Sequence, residues 1–411
     1  MVYWPTLINY IVWYIFVFLA VVWLLTLFKN RENLGKGPKA GRLPSVSVLI
    51  PAYNEERNIS RAIKSVLNLE YPKKLLEVIV INDGSKDRTL EKIRKFGKKV
   101  KIINNPKNRG KAYCLNQGLK HARGELVACL DADSVVSPKA LKKMVGYFED
   151  PQIAAVTPAL KVLKKENFWE KIQHAEYLLN IFLRKILAFL DAVHVTPGVF
   201  TLYRKSVLLE LGGFDEKNLA EDMEIALRIH EAGYKIENEL KAISYTLCPA
   251  RFKELLKQRI RWYRGGIRNS LKYRHMFFRS KYGNLGLFFL PANFIATFAV
   301  ILIFFMMLNY GLVVFTDIVR KAGLVGWDLS VFLSGFDLFG YLFKLSTPFF
   351  LTVISLFIAS WILLKSFRIS RMPFKKNKPG YFLYLLVFPF ILTVFWTLAL
   401  LNEVFRVKAK W

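Results

Sequence analysis

The chain runs to 411 residues and carries 61 Lys and Arg against 31 Asp and Glu, a formal net charge of +30, with 53% hydrophobic and 15% aromatic residues. That length holds one catalytic domain plus membrane segments, and the apolar content is too high for an ordinary soluble protein. The charge calls for an anionic partner; with no nucleic-acid recognition fold visible, anionic lipid headgroups and phosphorylated substrates are expected and nucleic acid is not.

Residues 7–28 are apolar apart from Asn9 and Thr26 and approach the roughly 20 residues that cross a bilayer. The run has no basic stretch before it, is too long for a signal peptide, and is followed by Lys29 and Arg31, so it reads as an anchoring first span over residues 1–30. From residue 44 to 250 the hydrophobic period keeps switching. Short β-branched runs at 45–51, 77–81, 100–103, 125–130 and 153–156 alternate with helical spacing at 56–69, 88–96, 110–122 and 138–148. Such alternation predicts a mostly parallel sheet covered by helices, with ligands beyond the carboxyl ends of the strands.

The polar motifs fall at those ends. Asp83-Gly84-Ser85 follows the second strand, where the carboxylate can accept from a nucleobase or ribose, or the triplet is a plain turn. Asn108-Arg109-Gly110-Lys111 opens a helix and suits a phosphate, or simply caps that helix. Asp131-Ala132-Asp133 closes the 125–130 strand, and two carboxylates at i and i+2 there can meet a hard divalent cation whose other sites are filled by diphosphate oxygens. In Thr196-Pro197-Gly198 the small residue lets an acceptor approach closely before a strand through Leu202-Tyr203. Glu221-Asp222 starts a helix over 222–232, either as general base and neighbour or as acids compensating the helix N-terminus. Gln258-Arg259-Ile260-Arg261-Trp262 offers a donor amide, a fixed cation and a π face, suited to pyrophosphate and sugar or to anchoring in lipid.

Two amphipathic stretches, 168–193 (within 166–193) and 252–273, are expected as interfacial helices roofing the site against the membrane. The second lies in a basic region, 251–282, with eleven Lys and Arg and one Glu between 251 and 281. The remainder, 283–411, supplies apolar runs at 285–315, 347–364 and 381–401, giving about four spans in all. A basic linker, 365–379, and the charged catalytic segment are placed on the cytoplasmic side by the positive-inside rule, in a multi-pass protein of the cell membrane. Residues 323–343, apolar but interrupted by Asp328 and Asp337, read as interfacial or re-entrant. Cys114, Cys129 and Cys248 lack metal-ligand spacing and are expected as free, buried apolar filler.

Taken in order, Val48-Leu49-Ile50-Pro51-Ala52-Tyr53-Asn54-Glu55-Glu56, Asn82-Asp83-Gly84-Ser85, Gly110-Lys111-Ala112, Asp131-Ala132-Asp133, Gly212-Gly213-Phe214, Ala220-Glu221-Asp222 and Gln258-x-x-Arg261-Trp262 resemble family 2 glycosyltransferases of the GT-A fold, in the cellulose-synthase-like and hyaluronan-synthase-like membrane branch. The resemblance implies a nucleotide pocket lined by Ala52, Tyr53, Glu55 and Asp83, with Lys111 near the diphosphate. It implies that Asp131 contacts the donor, Asp133 binds Mg2+ or Mn2+, and Asp222 is the general base of an inverting displacement. Gln258 and Arg261 would hold the pyrophosphate, and Trp262, with Gly198 and Glu221, would meet the acceptor. The chain departs from the polymerases in having Ala before Glu221-Asp222, in lacking a Cys-Gly acceptor turn, and in having few spans. Those departures favour transfer of a hexose from a UDP- or GDP-linked donor to a lipid-linked glycan of dolichol or polyprenol type. A processive polysaccharide synthase is the alternative, ahead of a dolichyl-phosphate monosaccharide synthase or a non-catalytic scaffold.

Overall fold

The structure, a computed structural model, describes residues 4–324, 347–370, 372 and 378–407. Helix α1 (Trp4–Lys29) leads to an α/β domain built on an eight-stranded sheet. Its strands are β1 (Val46–Ala52), β2 (Leu76–Asp83), β3 (Lys101–Asn105), β4 (Leu126–Leu130), β5 (Val135–Val136), β6 (Ile153–Val162), β7 (Val199–Arg204) and β8 (Lys235–Thr246). They are ordered β3-β2-β1-β4-β7-β6-β8-β5. The pairings from β3 to β4 and between β6 and β8 are parallel, whereas β7 and β5 run antiparallel to their neighbours. The sheet is therefore mixed but mostly parallel: six strands run one way, and β7 and β5 run the other.

Helices α2 (Ile59–Leu67), α3 (Thr89–Arg94), α4 (Lys111–His121), α5 (Ala140–Met144), α7 (Lys205–Glu210) and α8 (Glu221–Glu231) accompany the strands, with α6 (Phe168–Phe189) and α9 (Phe252–Lys272) as the two long amphipathic helices. Strands β1, β2 and β4 are almost wholly buried, which is why their sequences read as near-continuous apolar runs. Two cores result, one on each face. Leu49, Ile79, Ile81 and Val127 pack with α4 and α8, and Val48, Ile50, Val80 and Ala128 pack with α2 and α5. The three cysteines are free and buried. Strand β8 escaped the sequence reading because it buries Asn238, Glu239 and Ser244, which mask its period of two. Partners engage all three side chains, with Asn238 Nδ2 donating to the Thr157 carbonyl at 3.1 Å, although Asn238 Oδ1 has no hydrogen-bond partner among the described residues.

The membrane part departs from the four spans read from the sequence. Among the described residues two helical stretches are long and apolar enough to cross a bilayer, Tyr10–Lys29 and Leu285–Leu324, the latter mostly α10 (Leu290–Leu324). A third arises if α12 (Lys378–Leu386) and α13 (Phe388–Val404), bent by 52° to one another, form one span. The remaining run folds as α11 (Thr347–Ile369), which draws Lys365 and Arg368 of the expected basic linker into its last turns. Its inner face is not free for lipid, because Ile362, Leu363 and Phe367 are buried against Leu178, Ile181, Phe182 and Ile186 of α6. Most of the 323–343 segment and part of the basic linker lie outside the described residues. Helix α6, opened by a capping box between Asn167 and Glu170, thus lies between the domain and these helices.

Candidate active site

The strand order turns at β1, with β2 on one side and β4 on the other, so the loops after these three strands meet at one crevice. After β1, Ala52 is buried and Tyr53 is exposed. The next residues are laced to the loop after β2. The Asn54 amide donates to Ser85 Oγ at 3.0 Å, the Glu55 amide to Thr89 Oγ1 at 2.7 Å, and the Glu56 amide to Asp87 Oδ2 at 3.1 Å. Glu55 accepts from Asn58 Nδ2 at 2.8 Å. Burial, aided by the charges of Asp87 and Asp131, raises its carboxyl pKa above the usual range.

Asp83 is buried and fully engaged by the chain itself. Its oxygens accept from Asn105 Nδ2 at 3.0 Å, the Arg109 amide at 3.0 Å and the Gly110 amide at 2.8 Å. It fastens the 105–110 turn beneath the crevice, where the sequence left a nucleotide contact or a plain turn open. Gly84 beside it has φ +66°, and a Cβ there would stand 2.6 Å from the Lys107 carbonyl carbon, so the two loops close only over glycine.

The turn delivers Lys111 at the start of α4. Its Nζ lies 2.7 Å from Asp131 Oδ1 and 3.2 Å from Glu221 Oε1. Burial alone would lower its pKa, but the carboxylates of Asp131 and Glu221 raise it and keep the ammonium charged. Glu221 is buried with its carboxylate on Lys111. Gly198 closes over this pair: its carbonyl accepts from the Asp131 amide at 2.9 Å, and a Cβ there would overlap Lys111 Nζ and lie 2.7 Å from Asp131 Oδ1. Its smallness is thus used by the ion pair.

Asp133 follows two residues after Asp131. It accepts from Ser134 Oγ at 2.8 Å, and Ser134 Oγ also lies within hydrogen-bond distance of Thr246 Oγ1 at 2.9 Å, so the end of β8 buttresses it. Burial, then the charge of Asp131, pushes its carboxyl up to about 6. Asp222 begins α8. Its carboxylate accepts from the Met223 amide at 2.9 Å, and its carbonyl accepts from the amide and hydroxyl of Thr196 at 3.1 and 2.8 Å. Burial, then neighbouring Glu221, pushes it up to about 6, against the opposing pull of Lys111 and Arg261.

Helix α9 forms the far wall. Arg261 Nη1 donates to the Leu219 carbonyl at 3.3 Å, three residues before Asp222. Gln258 Oε1 is buried without a hydrogen-bond partner among the described residues, an acceptor in place for a ligand donor. Trp262 lies under the Arg259 guanidinium at 4.4 Å, and Arg259 pairs with Glu176 of α6 at 2.6 Å. The structure therefore gathers Lys111, Asp131, Glu221 and Gly198 directly and sets Asp133, Asp222 and Arg261 around them.

Residues 47–212 match the model of Glycosyl transferase family 2. Over 241 residues the chain is 38% identical to a poly-beta-1,6-N-acetyl-D-glucosamine synthase of Staphylococcus epidermidis, covering 58% of each chain. Over 270 residues it is 36% identical to the synthase of that name from Staphylococcus aureus, covering 63% of this chain and 65% of the relative. The matches thus span less than two thirds of those relatives' length. Among solved structures, a mannosyltransferase from Pyrobaculum calidifontis in complex with GDP-Man and Mn2+ superposes with a TM-score of 0.60 at 19% identity, over 97% of this chain and all of that one, and so shares the fold.

In this domain the reading of single motifs missed Ser134, Thr246 and Arg184. Arg184 of α6 is close enough to Asp222 to feel its charge, while burial pushes the guanidinium down to about 10. Its one sequence signal is an Arg seven residues after Tyr177, on the same helix face. Among the described residues no group of three His, Cys, Asp or Glu side chains forms a closed metal shell. Asp131 and Asp133, two carboxylates at i and i+2 that feel one another's charge, suit a hard divalent cation that shares its remaining positions with a diphosphate.

Proposed function

We propose that the chain is an inverting membrane glycosyltransferase that lengthens a β-linked N-acetylhexosamine polysaccharide from a nucleotide-diphosphate sugar. The convergence of Lys111, Asp131 and Glu221 beside Asp133 and Asp222 carries the transferase reading. Identity of 36–38% to two poly-beta-1,6-N-acetyl-D-glucosamine synthases favours a polymer over a single addition to a lipid-linked glycan. The low span count weighs less than that likeness, since α6 and α9 add wall that a count of spans omits.

In this reading the donor nucleotide lies in the crevice after β1 and β2, with its diphosphate between the Asp131–Asp133 side and the donors of Gln258 and Arg261. A divalent cation on Asp133, shared with Asp131, would neutralise charge on the departing diphosphate. Lys111 holds Asp131 and Glu221 in place from behind. The acceptor hydroxyl approaches Asp222, which takes its proton as the new bond to C1 forms and the bond from C1 to the diphosphate oxygen breaks on the opposite face. Configuration at C1 inverts. Trp262 offers the acceptor sugar a π face at the membrane side. The basic region 251–282 lies against anionic headgroups on the cytoplasmic side.

The full chain in lipid nanodiscs, supplied with labelled UDP-GlcNAc, UDP-glucose or GDP-mannose plus Mn2+ or Mg2+, tests this. A ladder of long products from UDP-GlcNAc alone supports it. A single sugar added to a polyprenol-linked acceptor, with no ladder, overturns the polymer reading and leaves the lipid-linked one.

A further inference from the structure

Helix α9 touches three parts of the molecule with three sides. Arg259 reaches α6 through Glu176 at 2.6 Å. The stripe Arg261, Gly265 and Asn269, spaced four residues apart, lies on the segment that leads into Asp222. There Arg261 donates to the Leu219 carbonyl at 3.3 Å and Asn269 Nδ2 to the Ala220 carbonyl at 3.1 Å. A Cβ on Gly265 would stand 2.5 Å from Ala220 Cβ, so helix and segment are in closest approach. The neighbouring stripe, Arg264 and Arg268, faces α13. Both guanidiniums pair with Glu403, Arg268 Nε at 2.8 Å from Oε2 and Arg264 on Oε1, and Arg264 Nη2 also donates to the Val407 carbonyl at 2.6 Å. Tyr263 stacks on Trp396 of α13 at 4.1 Å and 3°.

We propose that Glu403 is a positioning residue for glycosyl transfer: by clamping Arg264 and Arg268 it sets the rotation and depth of α9, and thereby the placement of Arg261 beside the segment that leads into Asp222. The clamp is one carboxylate shared by two cations, and Arg264 is buried, so its position is tightly defined. Rotation of α9 about its axis would move Arg261 away from the donor crevice while leaving the strands untouched. The membrane helix is thus a working part of the site and not only an anchor. This rests on α9 being the donor wall, as proposed above.

The experiment is a double-mutant cycle in the full chain in nanodiscs, with Glu403→Gln, Arg261→Lys and both together, reading kcat and donor KM separately. The expected result is a rise in donor KM of about tenfold for Glu403→Gln, the scale of one lost charge-assisted hydrogen bond. The double variant is expected to be no worse than Arg261→Lys alone, since both act at one place. Glu403→Asp should recover part of the loss. Independent, multiplicative effects of the two substitutions overturn the proposal, as does a fall in melting temperature with donor KM unchanged. If Arg261→Lys itself leaves KM and kcat as they were, the donor-wall reading fails instead. Should Glu403→Gln not fold, Arg268→Gln, which removes the more exposed arm of the clamp, is read in the same cycle against the same two outcomes.

Discussion

Replacing Gly198 by Ala isolates the Lys111–Asp131 pair. The new methyl would overlap Lys111 Nζ and lie 2.7 and 3.0 Å from the two Asp131 oxygens, against about 3.5 Å or more for comfortable contact. Gly198 is not among the glycines with positive φ, so the substitution carries no left-handed backbone penalty and its effect is steric. Lys111 cannot retreat without lengthening its 2.7 Å bond to Asp131 or its 3.2 Å contact with Glu221. A charge-assisted hydrogen bond contributes about 1.5–3 kcal/mol. The lower part of that range applies, because the two side chains remain 34% and 30% open to solvent. A loss of about 1.5–2 kcal/mol lowers kcat/KM roughly 10- to 30-fold. Sugar incorporation from labelled UDP-GlcNAc measures it, with a melting curve to show that the fold is kept. Gly311→Ala, where an added Cβ meets nothing within 4 Å, is the control and should behave as wild type. Activity of Gly198→Ala within twofold of wild type would refute the reasoning that this pair is fixed by contact.

Asp222→Asn should abolish transfer while nucleotide-sugar binding, read by calorimetry, persists; unchanged turnover removes Asp222 from the base role. Because Asp222 must be ionised to accept a proton and its carboxyl is pushed up to about 6, the wild-type rate should fall as pH drops below about 6 and level off above it. A rate flat from pH 5 to 8 contradicts that assignment. Asp133→Ala should weaken donor binding in Mn2+ but change it little in chelator, and equal loss in both media argues against a metal role. Glu176→Ala strands the buried Arg259 guanidinium, at a cost of about 3–5 kcal/mol, and a melting temperature like wild type would show that the pair is dispensable.

The sequence alone determined the order of strands and helices up to β4, the position of the Asp83 and Asp131–Asp133 motifs at strand ends, and the two amphipathic helices. These are local properties: a period of two or 3.6 and a turn residue are visible within ten positions. Tertiary structure decided the rest. The pairing of Glu221 with Lys111, 110 positions earlier in the chain, is set only by the fold. Gly198 was legible as a small residue, while the ion pair that requires it was not. Strand β8, whose end buttresses Asp133, hides behind buried polar residues that only their partners on β6 and β7 make tolerable. The sequence leads to about four spans and the described residues show two or three candidates; hydropathy reports that α11 is apolar, not that its inner face is buried against α6. Sequence carries periodicity and chemistry; which charges meet, and which apolar faces find protein instead of lipid, depends on contacts between distant positions and is settled only when the chain is folded.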